Sequence, residues 1–174
     1  CKVYYNKALD ISERYLGNEH PAVDQTLNSL AGVLQLDGEF VDAERMYKQV
    51  ISIRQKTLGD FHPDYASALN NLGLLFKSRG KYTDARDLYQ RAMRIQEYNY
   101  GSMHPDLAAT LNNLAALCFS EGNWKDSKAL YSRSIELKQN VLGIDHPSVA
   151  VAQNNLAGLL YSCREYDEAV DLCV

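Results

Sequence analysis

The chain has 174 residues, 46% of them hydrophobic and 23% charged, with 18 basic against 22 acidic residues and a net charge of −4. That apolar content excludes a disordered chain, and the acidic balance argues against nucleic acid or anionic lipid as the main partner, since both need a basic footprint. No run is long and apolar enough to cross a membrane, and no signal peptide is visible.

All four histidines and all four prolines fall in one dipeptide, His20-Pro21, His62-Pro63, His104-Pro105 and His146-Pro147, repeated every 42 residues. Gly17, Gly59, Gly101 and Gly143 precede each dipeptide in one register. Asn28, Asn70, Asn112 and Asn154 follow in another, as do Leu30, Leu72, Leu114 and Leu156. Phe40, Tyr82, Trp124 and Tyr166 close the pattern. A fixed period of this length marks a repeat array, whose units each bury their apolar stripe against a neighbour. The register gives one array over 1–174: a partial unit 1–17, units 18–59, 60–101 and 102–143, and a partial unit 144–174. The chain opens at Cys1, without a methionine, inside a helical pattern and closes inside another, so it reads as a fragment of a longer protein.

The spacing predicts helices at about 22–37, 40–57, 64–79, 82–99, 106–121, 124–141 and 148–163, with partial helices at both ends. The unit from Leu58 onward shows why. Gly59 ends one helix, and a glycine at that point accepts a left-handed conformation. Pro63 opens the next, because its missing N–H is no loss in a first turn, and Asp64 favours the positive end of the helix dipole. Leu69, Leu72, Gly73 and Phe76 then follow the i, i+3, i+4, i+7 pattern of an amphipathic helix. Gly80 breaks the chain, and Tyr82, Ala85, Tyr89, Ala92 and Ile95 form a second stripe. Gly73 and Ala85, like Ala31, Ala43, Ala115, Ser127, Ala157 and Ala169 in the same registers, are small where two helices cross and let the axes approach. In the last unit Arg164 stands where Gly38, Gly80 and Gly122 turn the chain, which predicts either a strained residue or a different turn.

The run Leu69-x2-Leu72-Gly73-x2-Phe76, then Gly80-x-Tyr82-x2-Ala85-x3-Tyr89-x2-Ala92, resembles the tetratricopeptide repeat. With the longer period and the Leu-Gly-x2-His-Pro-x2-Ala and Leu111-Asn112-Asn113-Leu114-Ala115 runs, it is similar to the kinesin light chain and nephrocystin-3 type. The resemblance implies an all-α fold, a right-handed superhelix or α-solenoid of antiparallel helix pairs. It also implies that the first helix of each unit lines an inner groove.

Catalysis has no visible home here. No nucleophile–base pair, phosphate loop or paired carboxylates stand out, and Gly38, Gly80 and Gly122 are isolated turn residues. Equivalent histidines in adjacent units lie about 10 Å or more apart by helix spacing, too far to share one metal ion. His-Pro therefore reads as a linker and helix-start device, with no metal and no cofactor implied. Cys118 takes the core register of Leu34, Phe76 and Leu160, and Cys173 the packing register of Tyr47, Tyr89 and Tyr131. Glu44 and Lys48 form an i, i+4 pair of the solvated kind.

The asparagines carry the sharper signal. Asn disfavours the middle of a helix, yet Asn28, Asn70, Asn71, Asn112, Asn113, Asn154 and Asn155 are all placed there. Their face is small, amide-rich and nearly uncharged: Ser67, Asn70, Asn71, Leu74 and Ser78 in one unit, for example. On the groove that the resemblance implies, amides would hold an extended peptide backbone through both donor and acceptor. The alternative is that one of each pair bridges neighbouring helices. Gln35, Lys77, Phe119 and Tyr161 share the next register at the groove edge, two polar and two aromatic, and Lys77, Phe119 and Tyr161 are the candidates for selectivity. Chaperone-binding relatives hold a C-terminal carboxylate with Lys and Arg where this chain has Asn and small residues, which argues against that activity. The expectation is thus a protein or peptide partner, in a cytoplasmic adaptor or scaffold with cytoskeletal or ciliary associations. An architectural spacer, or the sensor arm of an enzyme or ATPase outside this segment, is the alternative.

Overall fold

A computed structural model describes residues 2–172, and among these it contains helices and no strand. The helices are α1 (Lys2–Leu16), α2 (Pro21–Leu36), α3 (Phe40–Leu58), α4 (Pro63–Ser78), α5 (Tyr82–Tyr100), α6 (Pro105–Ser120), α7 (Trp124–Leu142), α8 (Pro147–Ser162) and α9 (Tyr166–Asp171). The predicted bounds hold to within a residue. The first helix of each pair starts at the proline itself and stops one residue sooner than the spacing suggests. Cys1 and Cys173 lie outside the described residues. Two compact units result, Cys1–Ala92 and Met93–Val174.

Every histidine does the same job at a helix start. Its extended backbone leaves the helix to begin at proline, and its Nδ1 accepts the backbone N–H two residues on. These bonds run from Ala22 to His20 at 3.1 Å, Asp64 to His62 at 3.1 Å, Asp106 to His104 at 3.2 Å and Ser148 to His146 at 3.1 Å. The sequence expectation of a helix-start device was correct, and the side chain is the cap.

At the other end the expectation needs correction. Gly59 and Gly143 have positive φ (89° and 88°), but their ψ of 170° and 156° is extended, not left-handed helical. The N–H of Gly59 still closes on Gln55 O at 3.1 Å, while its carbonyl accepts the N–H of His62 at 3.4 Å. The chain thus swings from the helix end straight into the next cap. Such a conformation is open almost only to glycine.

The turn inside each pair is uniform, and the last one does not depart from it. Glu39, Lys81, Asn123 and Glu165 donate to Leu34, Phe76, Cys118 and Leu160 at 2.8–2.9 Å. Arg164 adopts φ 64°, as Gly80 does at 72°. The backbone keeps its turn and the arginine bears the strain. We predict that Arg164→Gly stabilises the chain by about 0.5–1 kcal/mol, the relief of left-handed strain less the entropy glycine adds to the unfolded chain. Thermal melting followed by circular dichroism checks this. A lower melting temperature would mean that the arginine side chain contributes more than its backbone costs.

In the first unit, Val23, Leu27, Leu30, Ala31, Val50, Tyr65, Leu69, Leu72 and Leu75 form the core. Gly73 has a packing reason of its own: a Cβ there would lie 2.7 Å from Cε1 of the fully buried Tyr89. In the second unit Leu107, Leu111, Leu117, Val149, Ala152, Leu159 and Leu160 are buried, and Cys118 joins them as its register predicts. Two buried serines tie α7 to α6 there, Ser127 Oγ to Ala115 O at 2.8 Å and Ser134 Oγ to Ala108 O at 2.7 Å.

One register position on the second helices reaches forward to the next first helix. Arg54 donates to the carbonyl of Asp64 at 2.7 Å and grips the carboxylate of Asp24 through Nε and Nη2 at 2.9–3.0 Å. Gln96 accepts from Thr110 Oγ1 at 2.7 Å, and Lys138 Nζ donates to Ser148 O at 3.2 Å. Burial lowers the Lys138 pKa. The three residues differ, yet each satisfies polar atoms near the start of the helix that follows.

Candidate functional site

The amide registers divide into bridged and unbridged members. Asn71 Nδ2 donates to Asn28 Oδ1 at 2.9 Å, and Asn155 Nδ2 donates to Asn112 Oδ1 at 3.0 Å. Each bond joins first helices 43 residues apart, one bond in each compact unit. A bridged pair still has unused capacity, because an amide offers two donors and two acceptor lone pairs. The NH2 of Asn28 and Asn112 and the carbonyl oxygen of Asn71 and Asn155 therefore keep a donor end and an acceptor end on one pair. Asn113 is half-buried and Asn154 exposed. Asn70 is half-buried and engaged within the fold.

The edge register is uneven. Gln35 Oε1 accepts from the hydroxyl of Tyr47 at 3.3 Å, so it is tied down. Lys77 is half-buried, and desolvation lowers the pKa of its ammonium. Phe119 is 37% and Tyr161 68% exposed. Tyr161 meets Tyr166 edge-on, with ring centroids 5.3 Å apart. The second unit thus shows aromatic surface where the first shows a lysine.

Two features escaped the sequence reading. Glu44 is more than half of a solvated pair: beside Lys48 at 2.6 Å, its carboxylate is bonded by Arg79 and lies 3.8 Å from Lys81. These neighbours, Lys48 first, hold its pKa below the usual carboxylate range. The second feature is a cleft of about 510 Å³ in the second unit, lined by Trp124, Lys125, Lys128, Ala129, Leu159, Leu160, Cys163 and Glu165. Cys163 and Ala129 line it, small and uncharged in registers that also hold Arg79 and Glu121, and Arg45 and Asp87. No group of three or more potential metal ligands is present among the described residues.

Paired helices in one repeated register, with capped starts and no strand among the described residues, define an all-α repeat protein. The tetratricopeptide repeat model matches residues 2–56, 23–97 and 106–172, and the chain belongs to that family. BtubC (BKLC) from P. vanneervenii is similar in fold, with a TM-score of 0.81 and 21% identity over 98% of this chain and 68% of that one. A kinesin light chain-like protein from P. anserina with nearly identical TPR-like repeats has a TM-score of 0.76 and 24% identity over 98% of this chain and 81% of that one. MamA gives 0.61 and 19% over 99% and 82%. No curated protein matches the chain.

Proposed function

We propose that this chain is a protein-interaction module that holds a protein or peptide segment against the amide-bearing faces of its first helices. In this reading it is one array within a longer cytoplasmic adaptor or scaffold, and no catalysis is assigned to it. No helix among the described residues is long and apolar enough to cross a membrane. The observation that carries the reading is the amide register on the first helices: residues that weaken a helix, whose bridged pairs Asn28–Asn71 and Asn112–Asn155 still keep a donor end and an acceptor end. Phe119 and Tyr161 supply apolar contact area beside them, and Lys77 a cation in the first unit.

The architectural alternative draws on the two bridges, which by themselves explain Asn28, Asn71, Asn112 and Asn155. One pair of variants separates the readings. Asn113→Ala with Asn154→Ala is expected to leave helicity intact and weaken a partner recovered by pull-down by about 1–3 kcal/mol, as for lost hydrogen bonds. Asn71→Ala with Asn155→Ala is expected to lower both stability and affinity. Unchanged titration curves for the unbridged pair would transfer the binding role to another face, or to none.

A further inference from the structure

The apolar cores of the repeats share part of their pattern. Leu27, Leu69 and Leu111 share one register, and Leu30, Leu72, Leu114 and Leu156 another. These shared leucines carry no information about which repeat should stack on which, whereas Val23, Tyr65, Leu107 and Val149 differ within one buried register, and polar pairs can add further discrimination. Ion pairs at a single register position supply it. At the start of α1, Lys2 is bonded to Glu39 and lies 3.4 Å from Asp37. One repeat later the signs are inverted: Glu44 on α3 is bonded to Arg79 and has Lys81 at 3.8 Å. In the second unit Lys128 on α7 meets Glu165 at 2.6 Å and Glu168 at 2.7 Å, the polarity of the first junction again. Lys2, Glu44, Arg86 and Lys128 are register equivalents, as are Glu39, Lys81, Asn123 and Glu165, so Glu44 alone inverts the sign.

We infer that in the first unit this register position is an address on the stacking surface: the sign on the second helix selects the turn that docks against it. In the first unit, a slip of one repeat would bring Glu44 against Asp37 and Glu39, or Lys2 against Arg79 and Lys81. Either case sets three like charges together, and like charges at close quarters reject a wrong partner. The partner so excluded is the non-matching repeat of the same chain or of a second copy. Glu44 is the distinguishing residue, with a side chain only 18% exposed, so solvent screens it less than the other pairs.

The test compares two variants with the wild type. Glu44→Lys alone is expected to lower the melting temperature by several degrees. The second variant combines Glu44→Lys, Arg79→Glu and Lys81→Glu with Lys48→Gln, the residue at the equivalent Gln90. It restores complementary signs but gives both junctions of the first unit one polarity. It is expected to recover most of the lost melting temperature. After refolding from denaturant at high concentration, it should also yield more dimer than the wild type by light scattering, through exchange of repeats. A combined variant no more stable than Glu44→Lys would show that the pairs do not interact. One that is stable and forms no more dimer than wild type would show that the charges hold the repeats without addressing them.

Discussion

Leu72→Asp is expected to unfold the first unit. Leu72 is 4% exposed within α4, on the stripe it shares with Leu69, Gly73 and Phe76. A carboxylate there loses its hydration with no cation placed to receive it, a cost of several kcal/mol on top of the lost apolar burial. Whole domains are stable by only about 5–15 kcal/mol, so one such change removes a large part of the total. In a repeat array each unit is stabilised by its neighbours, so the loss should spread beyond α4. Denaturant melts should show a reduced midpoint, and hydrogen exchange should show lost protection in α2 and α3 as well as α4. A melting temperature within error of the wild type would remove Leu72 from the core.

Arg54→Met should cost about 3–5 kcal/mol, the loss expected when one partner of a buried ion pair is removed. Asp24 is 9% exposed and its carboxylate is held by Arg54 through two nitrogens, so the variant strands a charge in the interior. It also deprives the Asp64 carbonyl of its donor. Methionine keeps the apolar stem, so packing is not the main loss. The remedy is written in the chain: Ala66, Ala108 and Ala150 occupy the register of Asp24. Arg54→Met with Asp24→Ala should therefore recover most of the stability, and a double-mutant cycle would give a large coupling energy. If the two single losses simply add, the pair contributes little and Arg54 acts through its bond to the Asp64 carbonyl.

The helix pattern was legible because it rests on local rules. Proline at a helix start, glycine after a helix end and a periodic apolar stripe each act within a few residues. His62-Pro63 and Gly59 therefore placed α4 and the end of α3 to within a residue. The ψ of Gly59 was not legible, since it depends on how the turn closes onto the His62 N–H. The partners of Glu44 were hidden for a different reason. Lys48 is four residues away on the same helix, whereas Arg79 and Lys81 come from the next turn, at sequence separations no helical periodicity samples. The asparagines illustrate the same limit. Their dislike of helices signals a second role, but a ligand and a neighbouring Asn satisfy an amide equally well. Only the placement of Asn28 beside Asn71 and Asn112 beside Asn155 separates the bridged members from Asn113 and Asn154.

The four histidine caps also fix a tautomer. A neutral imidazole that accepts through Nδ1 carries its hydrogen on Nε2. His20, His62, His104 and His146 therefore each keep one ring N–H available as a donor, with the basic nitrogen turned back into the helix start. A metal ion approaching through Nδ1 would have to take the cap from a helix to gain a ligand. The rings are thus better suited to donating a hydrogen bond than to accepting one, and in the second unit His104 is already stacked on Tyr100 with centroids 3.7 Å apart.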